Sequence, residues 1–264
     1  MIDQQLLDKV KALVEQVGRY QLSRFRRLPA GGGEEKLARE FVSEVDLHSE
    51  RLLIEGLEKL LPEAGIYGEE TGYRGNDQLR WIIDPLDGTT NFLSGLDQFC
   101  ISIALEADGR TELGVVLRPA SAECYCAIRG RGLQRNGRDC RPTHVSELKN
   151  ALIGTGFPYR SKDLAASFFP CAEEVLYSSR GLRRFGSAAL DLCYVAAGFL
   201  QGFWESDLQP YDVAAALLFI AETGGVATNH QGHPYSPYRD RLLVCGAPLV
   251  HQQLLPIIAR HYPR

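Results

Sequence analysis

The sequence predicts a mixed α and β protein in which helices are layered on sheets. Apolar residues near the N-terminus recur at the three-to-four spacing of an amphipathic helix, whereas residues 64–135 contain short runs rich in β-branched and aromatic residues. In the second half of the chain, predicted strands alternate with predicted helices. With 264 residues and a hydrophobic fraction of 45%, the chain can build a packed globular core.

The N-terminal region is predicted to contain two helices separated by a loop. The first helix spans residues 3–26, and its apolar face carries Ile2, Leu6, Val10, Leu13, Val17 and Tyr20. Residues 28–36 contain three consecutive glycines with flanking charges, so they cannot bury a face and predict a mobile loop. The second helix begins at Ser43. Its predicted buried side carries Leu47, Ile54, Leu57 and Leu61.

The remaining elements follow from apolar runs and turn signals. Strands are predicted first at 64–68, 79–84, 99–106, 112–118 and 122–128, and later at 151–155, 202–206, 225–229 and 242–246. Helices are predicted at 162–178, 187–199, 211–223 and 248–261. A polar stretch that contains Pro142 separates an N-terminal half, residues 1–140, from a C-terminal half, residues 141–264. No long linker lies between the halves, so we expect one compact unit.

Composition excludes several classes of protein. The net charge of -4 creates no global cationic field, so neither nucleic acid nor an anionic membrane is the default partner. The N-terminus lacks the pattern of a secretory signal, and no apolar stretch reaches the roughly 18 residues that a membrane-spanning helix needs. The seven cysteines are odd in number and scattered, which favours reduced, buried thiols. We therefore expect a cytoplasmic protein.

The segment 81–92, WIIDPLDGTTNF, carries the strongest chemical signal. Asp84 ends an apolar strand, and Asp87 lies three residues further on, across a turn. With the carbonyl of Leu86 between them, these carboxylates are hard oxygen ligands of the kind that Mg²⁺ prefers, and Asp84 could bridge two ions. The backbone N–H groups of Gly88 and Thr89 begin a helical turn and form a cradle for an anion. Metal ligands beside a phosphate cradle indicate phosphoryl chemistry.

Taken alone, the D-x-x-D-G pattern also fits an aspartate-capped turn before a helix. Two further acidic positions favour the metal interpretation. Glu69 and Glu70 follow a predicted strand, where they could also be a solvated loop. Asp212 lies in the first turn of a predicted helix, where it could instead compensate the helix dipole. The joint occurrence of these positions favours a metal centre.

In chain order, these motifs resemble those of the inositol monophosphatase family of Mg²⁺-dependent, Li⁺-sensitive phosphatases, above all its bacterial inositol-1-monophosphatases. The resemblance is carried by residues 41–46 (FVSEVD), 68–70 (GEE), 81–92, 186–191 (GSAALD), 203–205 (FWE), 211–215 (YDVAA) and 222–225 (ETGG). It implies a layered αβαβα sandwich of the sugar-phosphatase type, assembled as a homodimer.

The resemblance also implies a set of ligands for two Mg²⁺ ions. The first ion would be held by Glu69, Asp84 and the carbonyl of Leu86. The second ion would be held by Asp84, Asp87 and Asp212. Most of these residues belong to the N-terminal half, and the C-terminal half would close the active site.

Catalytic and substrate-binding roles are implied in the same way. Glu69 and Thr89 would position and activate the attacking water, with Asp46 hydrogen-bonded near Thr89. The pattern Ser43-x-x-Asp46 also fits a helix capping box, so a structural role for Asp46 stays open. The phosphate would lie on Gly88 and Thr89. The implied substrate contacts are Asp87, Ala188, Glu205 and Asp212.

The implied reaction is hydrolysis of a small phosphate monoester, inositol-1-phosphate first, with water activated by two or three Mg²⁺ ions. The alternatives within the family are fructose-1,6-bisphosphate, phosphoadenosine phosphate and histidinol phosphate. The sequence Thr90-Asn91-Phe92 resembles the inositol branch. Residues 28–40 depart from the family pattern, which leaves the ligands of a third ion open.

A second hypothesis is a binding role for two arginine clusters. The clusters contain Arg129, Arg131, Arg135, Arg138 and Arg141, and Arg180, Arg183 and Arg184. Such clusters could contact nucleic acid or a partner protein. A solvated hairpin with ion pairs at a subunit interface explains them equally simply, and the net charge of -4 favours that explanation.

Overall fold

A computed structural model describes residues 2–27, 34–37, 40–140, 142 and 145–262. The helices in these ranges are α1 (Gln4–Arg24), α2 (Glu44–Leu60), α3 (Thr89–Leu93), α4 (Ala165–Ser178), α5 (Ala188–Ala196), α6 (Pro210–Glu222) and α7 (Pro248–His261). The strands of the first half are β1 (Glu34–Leu37), β2 (Glu40–Val42), β3 (Gly65–Gly68), β4 (Gly72–Arg74), β5 (Leu79–Asp87), β6 (Cys100–Ala107), β7 (Arg110–Arg118), β8 (Glu123–Ile128), β9 (Leu133–Arg135) and β10 (Arg138–Asp139). Those of the second half are β11 (Leu152–Thr155), β12 (Gly181–Arg183), β13 (Gly202–Ser206), β14 (Val226–Thr228) and β15 (Leu242–Gly246).

The strands form sheets of two, eight and five strands. β1 pairs with β2, the large sheet has the order β10-β9-β8-β7-β6-β5-β3-β4, and the third sheet has the order β12-β11-β13-β15-β14. Within the large sheet β3 runs parallel to β5, and in the third sheet β11 runs parallel to both β12 and β13. The carboxyl ends of these parallel neighbours therefore meet at shared sheet edges, where polar loops come together.

The large and third sheets alternate with three layers of helices. Helices α1 and α2 pack on one face of the large sheet, α5 and α6 lie between the two sheets, and α4 and α7 cover the outer face of the third sheet. This order confirms the expected αβαβα sandwich. Along the chain, β10 is the last strand of the large sheet and β11 is the first strand of the third sheet. The division into halves near residue 140 stays a prediction.

Both faces of the large sheet are buried because helices cover both. On β5, Trp81 and Ile83 pack against α1 and α2, whereas Ile82 packs in the layer that contains α6. Side chains of a strand alternate between faces, so the apolar run has no polar positions. On β7, a Cβ at Gly114 would lie 2.9 Å from the ring of Phe219. The glycine thus lets α6 approach the sheet closely.

The predicted helices and long strands are confirmed within a few residues, but two expectations were wrong. Leu47 is 54% exposed, because the first turn of α2 turns Asp46 and Ser49 inwards to hydrogen-bond with Thr89 and Gln21. Residues 34–37 form β1 and pair with β2, where a loop was predicted. The rest of that predicted loop, residues 28–33, lies outside the described residues, as does Arg141.

The cysteines behave as expected from the sequence. All seven thiols are free, and only Cys140 is partly exposed while the other six are buried. None of the helices in the described ranges is long and apolar enough to cross a membrane.

Candidate active site

The loop at the end of β5 is bulged and rigidly held. Between Asp84 and Asp87 the strand has one residue more than the facing segment of β6, which creates a β-bulge that redirects the side chains. Asp84 is 1% exposed, and its Oδ1 accepts a hydrogen bond from the Leu86 N–H at 3.0 Å. The carbonyl of Pro85 accepts from Gln21 Nε2 at 2.7 Å. These contacts fix the backbone that presents the Leu86 carbonyl.

Two carboxylates of β5 and one of α6 converge beside this loop. Asp84, Asp87 and Asp212 each offer an oxygen, and these oxygens lie within 4.8 Å of one another. Asp212 comes from the first turn of α6, where its Oδ2 accepts from the Gln209 N–H at 2.6 Å and from Arg160 Nη1 at 3.3 Å. The cluster is therefore an all-oxygen site of the kind that hard cations occupy.

The electrostatics of the cluster call for a cation. Burial, followed by repulsion from Glu69, Asp87 and Asp212, raises the pKa of Asp84 well above its usual range. Burial and repulsion from Asp212 raise the pKa of Asp87 to about 6, although hydrogen bonds from Ser187 Oγ at 2.6 Å and the Ala189 N–H at 2.7 Å oppose the shift. Buried like charges without a counterion destabilise a fold, and a bound cation relieves them.

Glu69 lies beside the end of β5 because β3 runs parallel to β5. Its N–H donates to the carbonyl of Ile83 at 3.1 Å, which places it beside the end of β5. The following turn is held by Glu50, a buried residue of α2 that accepts from the Glu70 N–H at 2.8 Å and the Thr71 N–H at 3.0 Å. Sequence reasoning missed Glu50, since its contacts are 20 residues away along the chain.

We expect Glu50→Gln to lower activity about tenfold and to destabilise the protein. The amide would face a backbone N–H with its own N–H, and a buried unsatisfied donor costs about 1–3 kcal/mol. The control is Glu58→Gln on the exposed face of the same helix, where Glu58 pairs with Arg74. Turnover and melting curves of both variants check the prediction. A destabilised Glu50→Gln enzyme with wild-type turnover would show that this turn does not position Glu69.

Thr89 and Asp46 form a second polar unit beside the cluster. Gly88, with φ of +94°, precedes α3, and a Cβ there would lie 2.7 Å from the carbonyl oxygen of Gln98. Thr89 Oγ1 lies 2.8 Å from Asp46 Oδ1 and 3.0 Å from the carbonyl oxygen of Leu86. Only a glycine fits this approach, so the backbone that presents Thr89 is fixed by sequence.

Asp46 makes both of the contacts that the sequence suggested, one with Ser43 and one with Thr89. Its Oδ2 accepts from the Ser43 N–H at 2.9 Å and from Ser43 Oγ at 2.5 Å, as in a capping box. Its Oδ1 accepts from Thr89. Burial raises the pKa of Asp46, while the hydrogen bonds from Ser43 and Thr89 oppose this rise. One carboxylate thus caps α2 and holds the hydroxyl of Thr89.

These groups open into one cavity of about 380 Å³. The predicted site residues that line it are Glu69, Asp84, Leu86, Asp87, Gly88, Thr89, Ala188, Glu205 and Asp212. Asp46 lies behind Thr89. Arg160, Arg184 and Asp191 also line the cavity. Sequence reasoning gave no role to Arg160 or Asp191, and it placed Arg184 only in the second arginine cluster. A signal existed for the two arginines, because they follow β11 and β12, whose carboxyl ends lie beside that of β13 with Glu205.

The mouth of the cavity combines aromatic rings with a cation. The guanidinium of Arg184 lies 5.7 Å from the ring centroid of Phe157 and 5.4 Å from that of Tyr159. Cation–π contacts of this kind order an exposed arginine without neutralising it. The cavity is therefore acidic at its floor and carries positive charge at its rim.

Comparison with known proteins agrees with this geometry. The sequence profile of the inositol monophosphatase family matches residues 3–262. Inositol-1-monophosphatase of Rhizobium meliloti is 42% identical over 226 residues, 85% of this chain and 85% of that protein. Nus factor SuhB of Pseudomonas aeruginosa is 40% identical over 245 residues, 90% of this chain and 89% of that protein. The structure of extragenic suppressor protein suhB from Bartonella henselae has a TM-score of 0.91 and 34% identity, and the match covers 98% of this chain and 100% of that chain. A profile match over nearly the whole length, together with a catalytic cavity built from the motif residues, shows that this chain belongs to the inositol monophosphatase family and is a phosphatase.

Proposed function

We propose that this phosphatase depends on Mg²⁺ and hydrolyses inositol-1-phosphate to inositol and phosphate. The observation that carries the proposal is the convergence of three carboxylates, two of them buried and one half-buried, with Glu69 and Thr89 lining the same cavity. Carboxylate and carbonyl oxygens form a donor set that fits Mg²⁺ rather than a softer metal. The residues that would hold the ions are Glu69, Asp84, Leu86 through its carbonyl, Asp87 and Asp212.

When bound, Mg²⁺ would lower the pKa of a coordinated water and neutralise charge on the ester oxygens. The chain's own groups complete the chemistry. Asp46 Oδ1 accepts a hydrogen bond from the Thr89 hydroxyl, so the lone pairs of Thr89 Oγ1 can accept a hydrogen bond from the attacking water. Glu69 would act as the general base and remove the other proton of that water, the one that is not hydrogen-bonded to Thr89. The N–H groups of Gly88 and Thr89 would donate to the phosphate oxygens.

The experiment that tests this function is a turnover screen with and without chelator. We expect Mg²⁺-dependent release of phosphate that is fastest for inositol-1-phosphate and is lost in EDTA. The other substrates in the screen are fructose-1,6-bisphosphate, phosphoadenosine phosphate and histidinol phosphate. Activity that survives complete chelation would contradict the metal mechanism, and a faster reaction with another substrate would move the enzyme to another branch of the family.

Glu205 provides a test of the polyol assignment. Its carboxyl group lines the cavity, and a carboxyl oxygen accepts hydrogen bonds from hydroxyl groups. We expect Glu205→Ala to reduce turnover of inositol-1-phosphate far more than turnover of p-nitrophenyl phosphate, which has no hydroxyl groups to bind. Steady-state kinetics on both substrates check this. Equal losses would mean that Glu205 maintains the structure of the site rather than binding the substrate.

A binding role is the second candidate, because several relatives are named Nus factors. Two arginines of the first cluster are engaged within the chain: Arg129 pairs with Glu112 at 3.3 Å and Arg135 with Glu123 at 2.6 Å. Those contacts reduce the positive charge that the cluster presents. A nucleic-acid shift assay over a range of salt concentrations tests the role, since phosphate contacts give a steep salt dependence. The homodimer and the Li⁺ sensitivity implied by the family, and the cytoplasmic location predicted from the sequence, belong to the same set of proposals.

A further inference from the structure

Asp191 is a buried carboxylate that the metal chemistry does not use. It lies in the first turn of α5, is 1% exposed and lines the catalytic cavity. Its Oδ1 is buried and has no hydrogen-bond partner among the described residues. Buried polar atoms are nearly always satisfied, so an unpartnered carboxylate oxygen on a cavity wall points to a donor that the ligand brings.

Asp191 shares its wall of the cavity with Glu205. Burial raises the pKa of Asp191 well above its usual range, and the neighbouring Glu205 raises it further, while Arg184 opposes the rise. Burial likewise raises the pKa of Glu205, and Arg184 opposes that shift too. Arg184 is itself spread over Phe157 and Tyr159 at the mouth. In either protonation state each carboxyl keeps an oxygen with lone pairs that can accept a hydrogen bond, and Asp191 Oδ1 has no donor among the described residues.

The structural explanation of Asp191 accounts for only one of its oxygens. An acidic residue in the first turn of a helix compensates the dipole, and the Phe185 N–H donates to this carboxylate. The same turn carries Ser187, which donates to Asp87 Oδ2 at 2.6 Å. An asparagine could meet the Phe185 N–H equally well. The second carboxylate oxygen needs another explanation.

We propose that Asp191 Oδ1 accepts a hydrogen bond from a hydroxyl group of the leaving alcohol. Glu205 would accept a hydrogen bond from a neighbouring hydroxyl group of the same alcohol. Asp191 is then a specificity-determining residue, because two acceptors on one wall select an alcohol that carries at least two hydroxyl groups on the same side. This inference rests on the proposed polyol phosphatase activity. A ligand without hydroxyl groups would leave Asp191 Oδ1 buried and unsatisfied.

The test uses two substrates with the same ring. Inositol-1-phosphate carries hydroxyl groups and cyclohexyl phosphate carries none. We expect Asp191→Asn to lower kcat/KM for inositol-1-phosphate by roughly 10-fold, as for the loss of one hydrogen bond, and to lower it far less for cyclohexyl phosphate. Asp163→Asn is the control, because Asp163 pairs with Arg241 on the surface. That variant should match wild type on both substrates.

The ratio of the two kcat/KM values does not depend on how much of a preparation is folded, so partial misfolding of Asp191→Asn cannot imitate the result. Asp191→Ser is the second variant, because its hydroxyl can still meet the Phe185 N–H. Equal losses on both substrates, with a smaller Mg²⁺-induced rise in melting temperature, would overturn the inference and leave Asp191 as a positioning residue for the turn of Ser187. A wild-type enzyme that hydrolyses cyclohexyl phosphate but not inositol-1-phosphate would overturn the proposed function itself, and this inference with it.

Discussion

Replacing Asp84 with asparagine should reduce activity on the order of 10³-fold or more and should raise the melting temperature of the metal-free protein. Asp84 is 1% exposed and is repelled by Glu69, Asp87 and Asp212. Asparagine keeps the size of the side chain and an oxygen for the Leu86 N–H, but it carries no charge. The variant therefore loses a metal ligand and, without metal, also loses the repulsion.

The pH dependence of the metal-free protein follows from the same carboxylates. The pKa of Asp87 is raised to about 6, above the roughly 3.9 of an unfolded chain, and that of Asp84 is also raised. Between these values the folded state binds more protons than the unfolded state, so stability falls as pH rises through about 6. In EDTA, the wild-type protein should lose stability over this range, and Asp84→Asn should lose less. Melting curves from pH 4.5 to 8 measure the difference.

Mg²⁺ should stabilise Asp84→Asn less than wild type. An ion at a hundredfold excess over its Kd adds about 2.7 kcal/mol to the native state, which in a chain of this size corresponds to roughly 5–10 °C. Glu106→Gln is the matched control, because Glu106 is equally buried but is satisfied by Arg80 at 2.6 Å and Tyr238 at 2.8 Å. That variant should be destabilised with and without Mg²⁺. An active Asp84→Asn enzyme with a full Mg²⁺ response would contradict the ligand assignment.

One part of the site could be predicted because its residues are close together along the chain. Asp84, Asp87 and Thr89 belong to one strand, bulge and helical turn, so their spacing already brings them together. Asp212 was found because a helix begins two residues before it, and Glu69 because a strand ends before it. Long periodic elements such as α1 and α7 were predicted for the same reason, since their pattern extends over several turns.

The rest depended on contacts between distant segments. From the sequence, Asp191 is expected to be an ordinary residue of a buried helix. The packing of α5 between the two sheets is what shows that it lines the cavity. The strands β4, β9, β10 and β12 have two or three residues, too few for any alternation to be visible. Leu47 has the spacing of a buried residue, but hydrogen bonds of Asp46 and Ser49 set the rotation of α2 at its first turn. Polar contacts across the fold overrode local periodicity there.

The pair formed by Thr89 and Asp46 supports the second large effect. We expect Thr89→Val to lower kcat about 10²–10⁴-fold, because valine keeps the shape but has no oxygen to accept a hydrogen bond from the attacking water. Thr89→Ser should retain most activity, since it keeps the hydroxyl that lies 2.8 Å from Asp46 Oδ1. Single-turnover kinetics at saturating Mg²⁺ separate this loss from weaker metal binding.

Asp46→Asn shows whether the two residues act as one unit. The amide can no longer satisfy both Ser43 donors and the Thr89 hydroxyl, so the variant should lose about 0.5–2 kcal/mol of stability as a weakened helix cap. It should also lose activity, because a Thr89 hydroxyl that is no longer held turns away from the water. If Asp46 acts only through Thr89, the double variant Thr89→Val/Asp46→Asn should be no slower than Thr89→Val alone. If the rate losses of the two single variants multiply in the double variant, Asp46 contributes to catalysis independently of Thr89. If Asp46→Asn has wild-type turnover, Asp46 serves only as part of the capping box of α2.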